Sequence, residues 1–146
     1  MIKRINRIKK IVELAELEMD QAAKIMAFMR DKLAQDQQQL TSLQEYQKEY
    51  VKKPAQSGKL NPIQLQTHYA FSDKLVHALV EQNNQVDESA KMVEMAVDSW
   101  QEKRIRVKAL QALVDRMKKQ ENTRLNKQEQ RFLDELSSQK YAAKSR

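Results

Sequence analysis

Side chains able to carry chemistry are few in this chain, and their spacing works against it. His68 and His77 are the two histidines, and their separation joins no metal-binding pattern; they read as ordinary polar or interfacial residues. The absence of cysteine excludes disulfides, thiolate zinc sites and cysteine nucleophiles. With one glycine there is no phosphate-cradling loop, and neither an HExxH nor an EF-hand pattern occurs. The 20 acidic residues are scattered at the spacing of helix flanks, where Asp and Glu are solvated or paired. Without a concave pocket to desolvate one of them, none becomes a general acid or base. The chemistry left is recognition: a binding or scaffolding protein, with no enzymatic activity and no cofactor.

Recognition has two candidate sources. Gln39, Leu43, Tyr46 and Tyr50 follow steps of four, three and four, and Phe71, Leu75, Ala78 and Gln82 repeat those steps. Beyond a coiled-coil seam this is a second stripe, holding three of the eight aromatic residues and expected to leave Tyr46, Phe71 and Leu75 partly exposed. It reads as a protein-docking patch, with a widened hydrophobic seam as the plainer account. The other source is charge. Residues 1–10 hold five cations and no acid, residues 101–146 hold thirteen cations and six acids, and the stretch between nets to minus five. Cations interleaved with acids, and only Phe132 and Tyr141 as aromatics after Trp100, disfavour nucleic acid. Met19, Met26 and Met29 read as packing, Gln37 to Gln39 as solvated surface, and Asp36 and Asn83 as polar breaks that set register.

These residues must be positioned by long helices. The chain has 146 residues, and its only breakers, Pro54, Gly58 and Pro62, lie within nine positions. A composition of 32% charged and 5% aromatic residues fits helices better than sheets. Taking Ile5 as heptad position a, apolar residues recur through Ile8, Val12, Ala15, Met19, Ala22, Met26, Met29, Leu33, Leu40, Leu43 and Tyr50, broken only by Asp36 and Gln47. In the second half the stripe reads Tyr69, Ser72, Val76, Leu79, Asn83, Val86, Ala90, Val93, Val97, Trp100, Arg104 and Val107, after which the strict repeat is lost.

The expected fold is therefore all-α: a single antiparallel two-helix coiled-coil hairpin over 1–146. Helix one spans about 3–53, a turn about 54–61, helix two about 62–140 and a flexible tail 141–146. Pro54 disfavours the helical conformation at Lys53, after two lysines that suit a helix C-terminus. Asn61 reads as an N-cap with Pro62 at the first helical position, Gln64 completing a capping box, and Leu60 and Leu65 at staple spacing. Opposed residues then have numbers adding to about 115, setting Ala15 against Trp100 and Ala22 against Val93. Helix one reaches about residue 112 of helix two, leaving roughly thirty C-terminal residues overhanging. No apolar run approaches the ~18 residues of a membrane span. The start, basic but followed by IVELAELEMD with four acids, is not a secretory signal, which points to a soluble protein of a reducing cytosol.

The run YQKEY at Tyr46–Tyr50, the segment YAFSDKL at Tyr69–Leu75 and the block SWQEKRIRVKALQALVDR at Ser99–Arg116, in that order and at those intervals, resemble the FliJ family of the bacterial flagellar type III export apparatus. The resemblance covers about residues 11–140. It implies an antiparallel coiled coil like the central stalk of rotary ATP synthases. Its partners would be the hexameric export ATPase FliI, whose ring assembly and activity it promotes, the membrane export gate protein FlhA, and export chaperones. It would bind no nucleotide and would sit in the cytoplasm, peripheral to the inner membrane through its partners. Carried over by position, the gate-contact surface falls on Gln39, Leu43, Tyr46, Tyr50, Phe71, Leu75 and Ala78, while Gln82 departs from an expected histidine. The ATPase-facing end would include Arg4, Arg7, Lys10, Trp100 and Arg104. The alternatives are the stalk of a virulence type III secretion system, or a basic coiled-coil nucleic-acid-binding protein.

Overall fold

The computed structural model describes residues 1–57 and 61–144, and nearly all of them lie in two helices, α1 (Ile2–Ser57) and α2 (Pro62–Lys144). The two pack against each other antiparallel, as cross-helix contacts from the stacked rings of Tyr50 and His68 to the hydrogen bond of Gln111 to Glu16 establish. The chain divides into a terminal unit, Met1–Asp20 with Glu102–Arg146, and an inner unit, Gln21–Gln101.

On α1 the shielded side follows the heptad read from the sequence. Ile5, Ala15 and Ala22 are buried, and Asp36 is buried with them in the same repeat. On α2 every second seam position is displaced by one residue. The seam positions, all shielded, are His68, Ser72, Leu75, Leu79, Gln82, Val86, Ser89, Val93, Ala96, Trp100, Lys103 and Val107, continuing through Leu110, Val114 and Met117 to Glu121, with Ala78, Gln85, Val97 and Leu113 half-buried at its edges. Leu75 is 7% exposed, whereas Val76, its expected substitute, is 46% exposed. In this phase the alternation of three and four is unbroken, so the loss of the repeat after Val107 belonged to the wrong phase. Counting apolar residues favours Val76, Ala90 and Val97. The fold instead buries Ser89 and Ala96, whose small side chains suit a close helix-helix approach.

α2 starts as its cap dictates. The Gln64 N–H donates to Asn61 Oδ1 at 2.8 Å while the Asn61 N–H donates to Gln64 Oε1 at 3.3 Å, the reciprocal bonds of a capping box. The end of α1 differs from expectation, since the helix runs through Pro54 to Ser57. A proline this late removes one backbone bond, the one to the Tyr50 carbonyl, and a long helix held by its seam tolerates that loss. Gly58, Leu60 with its staple to Leu65, and Ser145 and Arg146 of the expected tail lie outside the described residues, while Tyr141–Lys144 belong to α2.

A longer α1 moves the reversal point along the chain, and the register moves with it. Opposed residues have numbers adding to about 120 rather than 115. In the terminal unit Glu18 pairs with Lys103 at 3.5 Å and Gln111 donates to Glu16 at 3.0 Å, which sets Ala15 level with the turn around Val107 instead of Trp100. In the inner unit the same shift brings Ala22, not Ala15, level with the turn around Trp100. Burial on α2 accordingly extends to Glu121, and the exposed stretch is 122–144, about ten residues shorter than expected.

Candidate protein-docking surface

The two stripes picked out by spacing do meet. Tyr46 and Tyr50 stack on α1 with ring centroids 6.2 Å apart, and across the seam Phe71 lies 4.8 Å from Tyr50 and 6.4 Å from Tyr46. Tyr46 and Phe71 are exposed while Tyr50 is half-buried, so the cluster is anchored on one side and open on the other. Further along, Gln39, Leu43 and Gln82 line one groove of about 570 Å³ together with Gln35, Gln38 and Ser42. Ala78 is half-buried. Leu75 is the exception, because it is a buried seam residue rather than an exposed member of the patch.

His68, read from the sequence as an ordinary polar or interfacial residue, is interfacial and also belongs to the cluster, which the sequence reading did not include. Its ring stacks on Tyr50 at 4.5 Å and 12°, and it packs edge-on to Tyr69 at 6.0 Å, so it closes the cluster toward the start of α2. The step of four from His68 to Ser72, followed by three to Leu75, is the signal that could have found it.

Beneath the groove lies a polar layer. Asp36 and Ser89 are both buried, and the Ser89 hydroxyl donates to Asp36 Oδ2. Lys32 donates to the same carboxylate at 3.3 Å and to Ser89 Oγ at 3.4 Å, and the Gln82 amide donates to the Asp36 backbone carbonyl at 2.9 Å. The Ser89 hydrogen bond, opposed by burial and aided by Lys32, holds the Asp36 carboxyl below its ordinary value of 3.8. Gln82 thus ties α2 to the α1 backbone at the wall of the groove.

In the terminal unit Arg4, Arg7 and Lys10 are exposed along the first turns of α1. Arg104 is exposed and lines a groove of about 290 Å³ with Glu16, Asp20 and Lys108. Trp100 is half-buried in the seam of the inner unit, so it is not a free surface residue. Glu121 is buried, and Arg124 donates to it at 2.9 Å and 3.3 Å. That bond, with burial acting against it, lowers the Glu121 pKa and raises that of Arg124.

With this geometry in place, comparison with known proteins is decisive. The family model described as flagellar FliJ protein matches residues 4–146. The chain belongs to the flagellar FliJ family. It is 28% identical over 127 residues to the flagellar FliJ protein of Escherichia coli (strain K12), covering 86% of each chain. It is 29% identical over 133 residues to that of Salmonella typhi, covering 89% of this chain and 90% of the relative. The match to the FliJ family takes in both the aromatic cluster and the basic N-terminal turns. Among the described residues of this FliJ-family chain no helix is long and apolar enough to cross a membrane.

Proposed function

We propose that this chain serves flagellar protein export as a non-enzymatic adaptor, engaging the export ATPase FliI through its terminal unit and the export gate protein FlhA through its inner unit. Membership of the flagellar FliJ family supports the process, and the partners follow from the resemblance. The observation that carries the gate-docking half is the Tyr46, Tyr50 and Phe71 cluster, assembled from both helices and left open to solvent. Aromatic side chains that are rigid, partly anchored and exposed are the kind that concentrate binding energy at an interface. Gln39, Leu43 and Ala78 extend that surface, while Leu75 is buried in the seam.

For the ATPase half, Arg4, Arg7, Lys10 and Arg104 present exposed cations, while Trp100 acts within the seam. A coiled coil that contacts a six-fold ring asymmetrically biases its sites unequally, because it binds some states of the ring better than others. Export chaperones are further partners, and the site of action is the cytoplasmic face of the inner membrane, reached through partner proteins.

Purified chain added to FliI is expected to raise the ATPase rate while hydrolysing no ATP alone; an unchanged rate and unchanged ring assembly would refute the ATPase half. Tyr46→Ala and Phe71→Ala are each expected to weaken FlhA binding about tenfold with helicity intact, as removal of an interface anchor does. Loss of helicity instead would make the cluster part of the fold and no docking site.

A further inference from the structure

A second apolar surface lies apart from the aromatic cluster, on the same flank of the inner unit. Ile25 and Phe28 on α1 and Met92 and Met95 on α2 are between 44% and 66% exposed. None of the four belongs to the seam. In the heptad phase the structure adopts, Ile25 and Met92 stand at g positions and Phe28 and Met95 at the adjoining c positions, and g edges face one another in an antiparallel pair. Their level is fixed by the Lys32 to Ser89 bond at 3.4 Å. Phe28 precedes Lys32 by one turn and Met92 follows Ser89 by about one turn, and in an antiparallel pair both steps run in the same direction. Ile25 and Met95 lie one further turn along. Together the four side chains expose on the order of 400 Å² of apolar surface, the size at which a patch on a soluble protein is commonly functional.

The pattern indicates what covers it. A helix with one neighbour needs only its a and d stripe. A helix that carries apolar g and c residues as well has the wider face of a bundle with a third member. Both helices carry that extra stripe at the same level and on the same flank, which leaves one missing helix rather than two unrelated contacts. Methionine, unbranched and polarizable, suits a surface that receives a separate chain. The same flank of α2 presents Glu81 and Glu88, exposed and one heptad apart, nearer the patch than Lys74 a heptad before them, while Lys32 on α1 is paired with Asp36 at 3.3 Å. The segment nets to minus five over residues 11–100.

We propose that Ile25, Phe28, Met92 and Met95 form a docking site for an amphipathic helix of a partner protein, apolar on the face it buries and basic along the edge that meets Glu81 and Glu88. The bound helix completes a local three-helix bundle. This surface shares no residue with the proposed gate contact, so the two stand or fall separately.

The test uses the full chain and a fluorescein-labelled synthetic 21-residue helix with leucines at a and d positions and lysines along one edge, titrated by fluorescence anisotropy at low ionic strength. Saturable binding is expected, weakened at least tenfold by Phe28→Glu combined with Met95→Glu and unchanged by Val80→Glu, an exposed apolar residue of the opposite flank. Exchanging the peptide's lysines for glutamates is expected to weaken binding at least fivefold. Circular dichroism checks the fold of each variant; were the double glutamate variant to lose helicity, Phe28→Ala with Met95→Ala replaces it, and the same tenfold loss is expected. No saturable binding, or equal loss with Val80→Glu, overturns the proposal. So does a concentration-dependent dimer abolished by Phe28→Glu, which makes a second copy the occupant, and so does Phe28-dependent binding to anionic phosphatidylglycerol vesicles in place of the peptide.

Discussion

Asp36 shows how much one side chain can decide. A carboxylate in an apolar seam is costly unless its oxygens are satisfied, and here Ser89 and Lys32 both donate to it. The acceptable partner is a hydroxyl at position 89, so the phase of α2 that buries Ser89 wins over the one that buries Ala90. Since the folded-state pKa of Asp36 lies below 3.8, its contribution to stability is complete above that value and is lost as the pH falls through the folded pKa. Acid unfolding of the wild type should therefore accelerate below about pH 4, and Asp36→Asn should flatten that part of the pH profile, read by circular dichroism. Asp36→Leu is expected to keep or raise Tm while broadening distances between spin labels placed on the two helices, because an apolar layer packs but does not specify register. Neighbouring residues test the phase directly. Leu75→Ala should cost about 2–3 kcal/mol in chemical denaturation, and Val76→Ala less than about 0.5 kcal/mol. Equal costs would contradict the seam described here.

Among the elements, α2 carries its starting point in its own sequence, and the end of α1 does not follow local rules. The Asn61 and Gln64 box satisfies two first-turn donors locally, so Asn61→Ala should cost about 1 kcal/mol and speed hydrogen exchange at the amide of Gln64. Pro54 was a reasonable stop signal because proline disfavours helix at the preceding residue. The seam of a 56-residue helix outweighs that preference, and four further residues of α1 shift every opposed pair. The α1 heptad is legible in the sequence because the a and d series from Ile5 to Tyr50 is apolar at every position but Asp36 and Gln47, and its burial follows that series. On α2, pairs such as Leu75 with Val76 both lie within a helix's apolar sector, and periodicity does not choose between them. The sequence pattern therefore puts Leu75 partly at the surface, and the juxtaposition of Phe28 with Met92 depends on a register that periodicity does not fix.

For the molecule as a whole, charge and burial separate the roles. The stretch 122–144 is exposed throughout, and Arg124 within it pairs with the buried Glu121, so ending the chain after Leu125, which keeps that pair, should leave Tm within about 2 °C of the full-length value in a calorimetric scan. The same truncation should reduce binding to FliI if the basic terminal unit is its contact. The sequence by itself determined two helices, their antiparallel order, the cap of α2, the heptad of α1 and the basic character of the terminal segments, because each depends on residues near one another along the chain. It also holds the ordered motifs that resemble the flagellar FliJ family, to which the chain belongs. Tertiary structure decided the register, the phase of the α2 seam, the length of the exposed stretch, the burial of Leu75, the stacking of His68 on Tyr50 and the Ile25, Phe28, Met92 and Met95 patch. Each of these is a relation between two helices, and a one-residue change of phase rotates a side chain by about 100°, from seam to surface, with no change in local propensity.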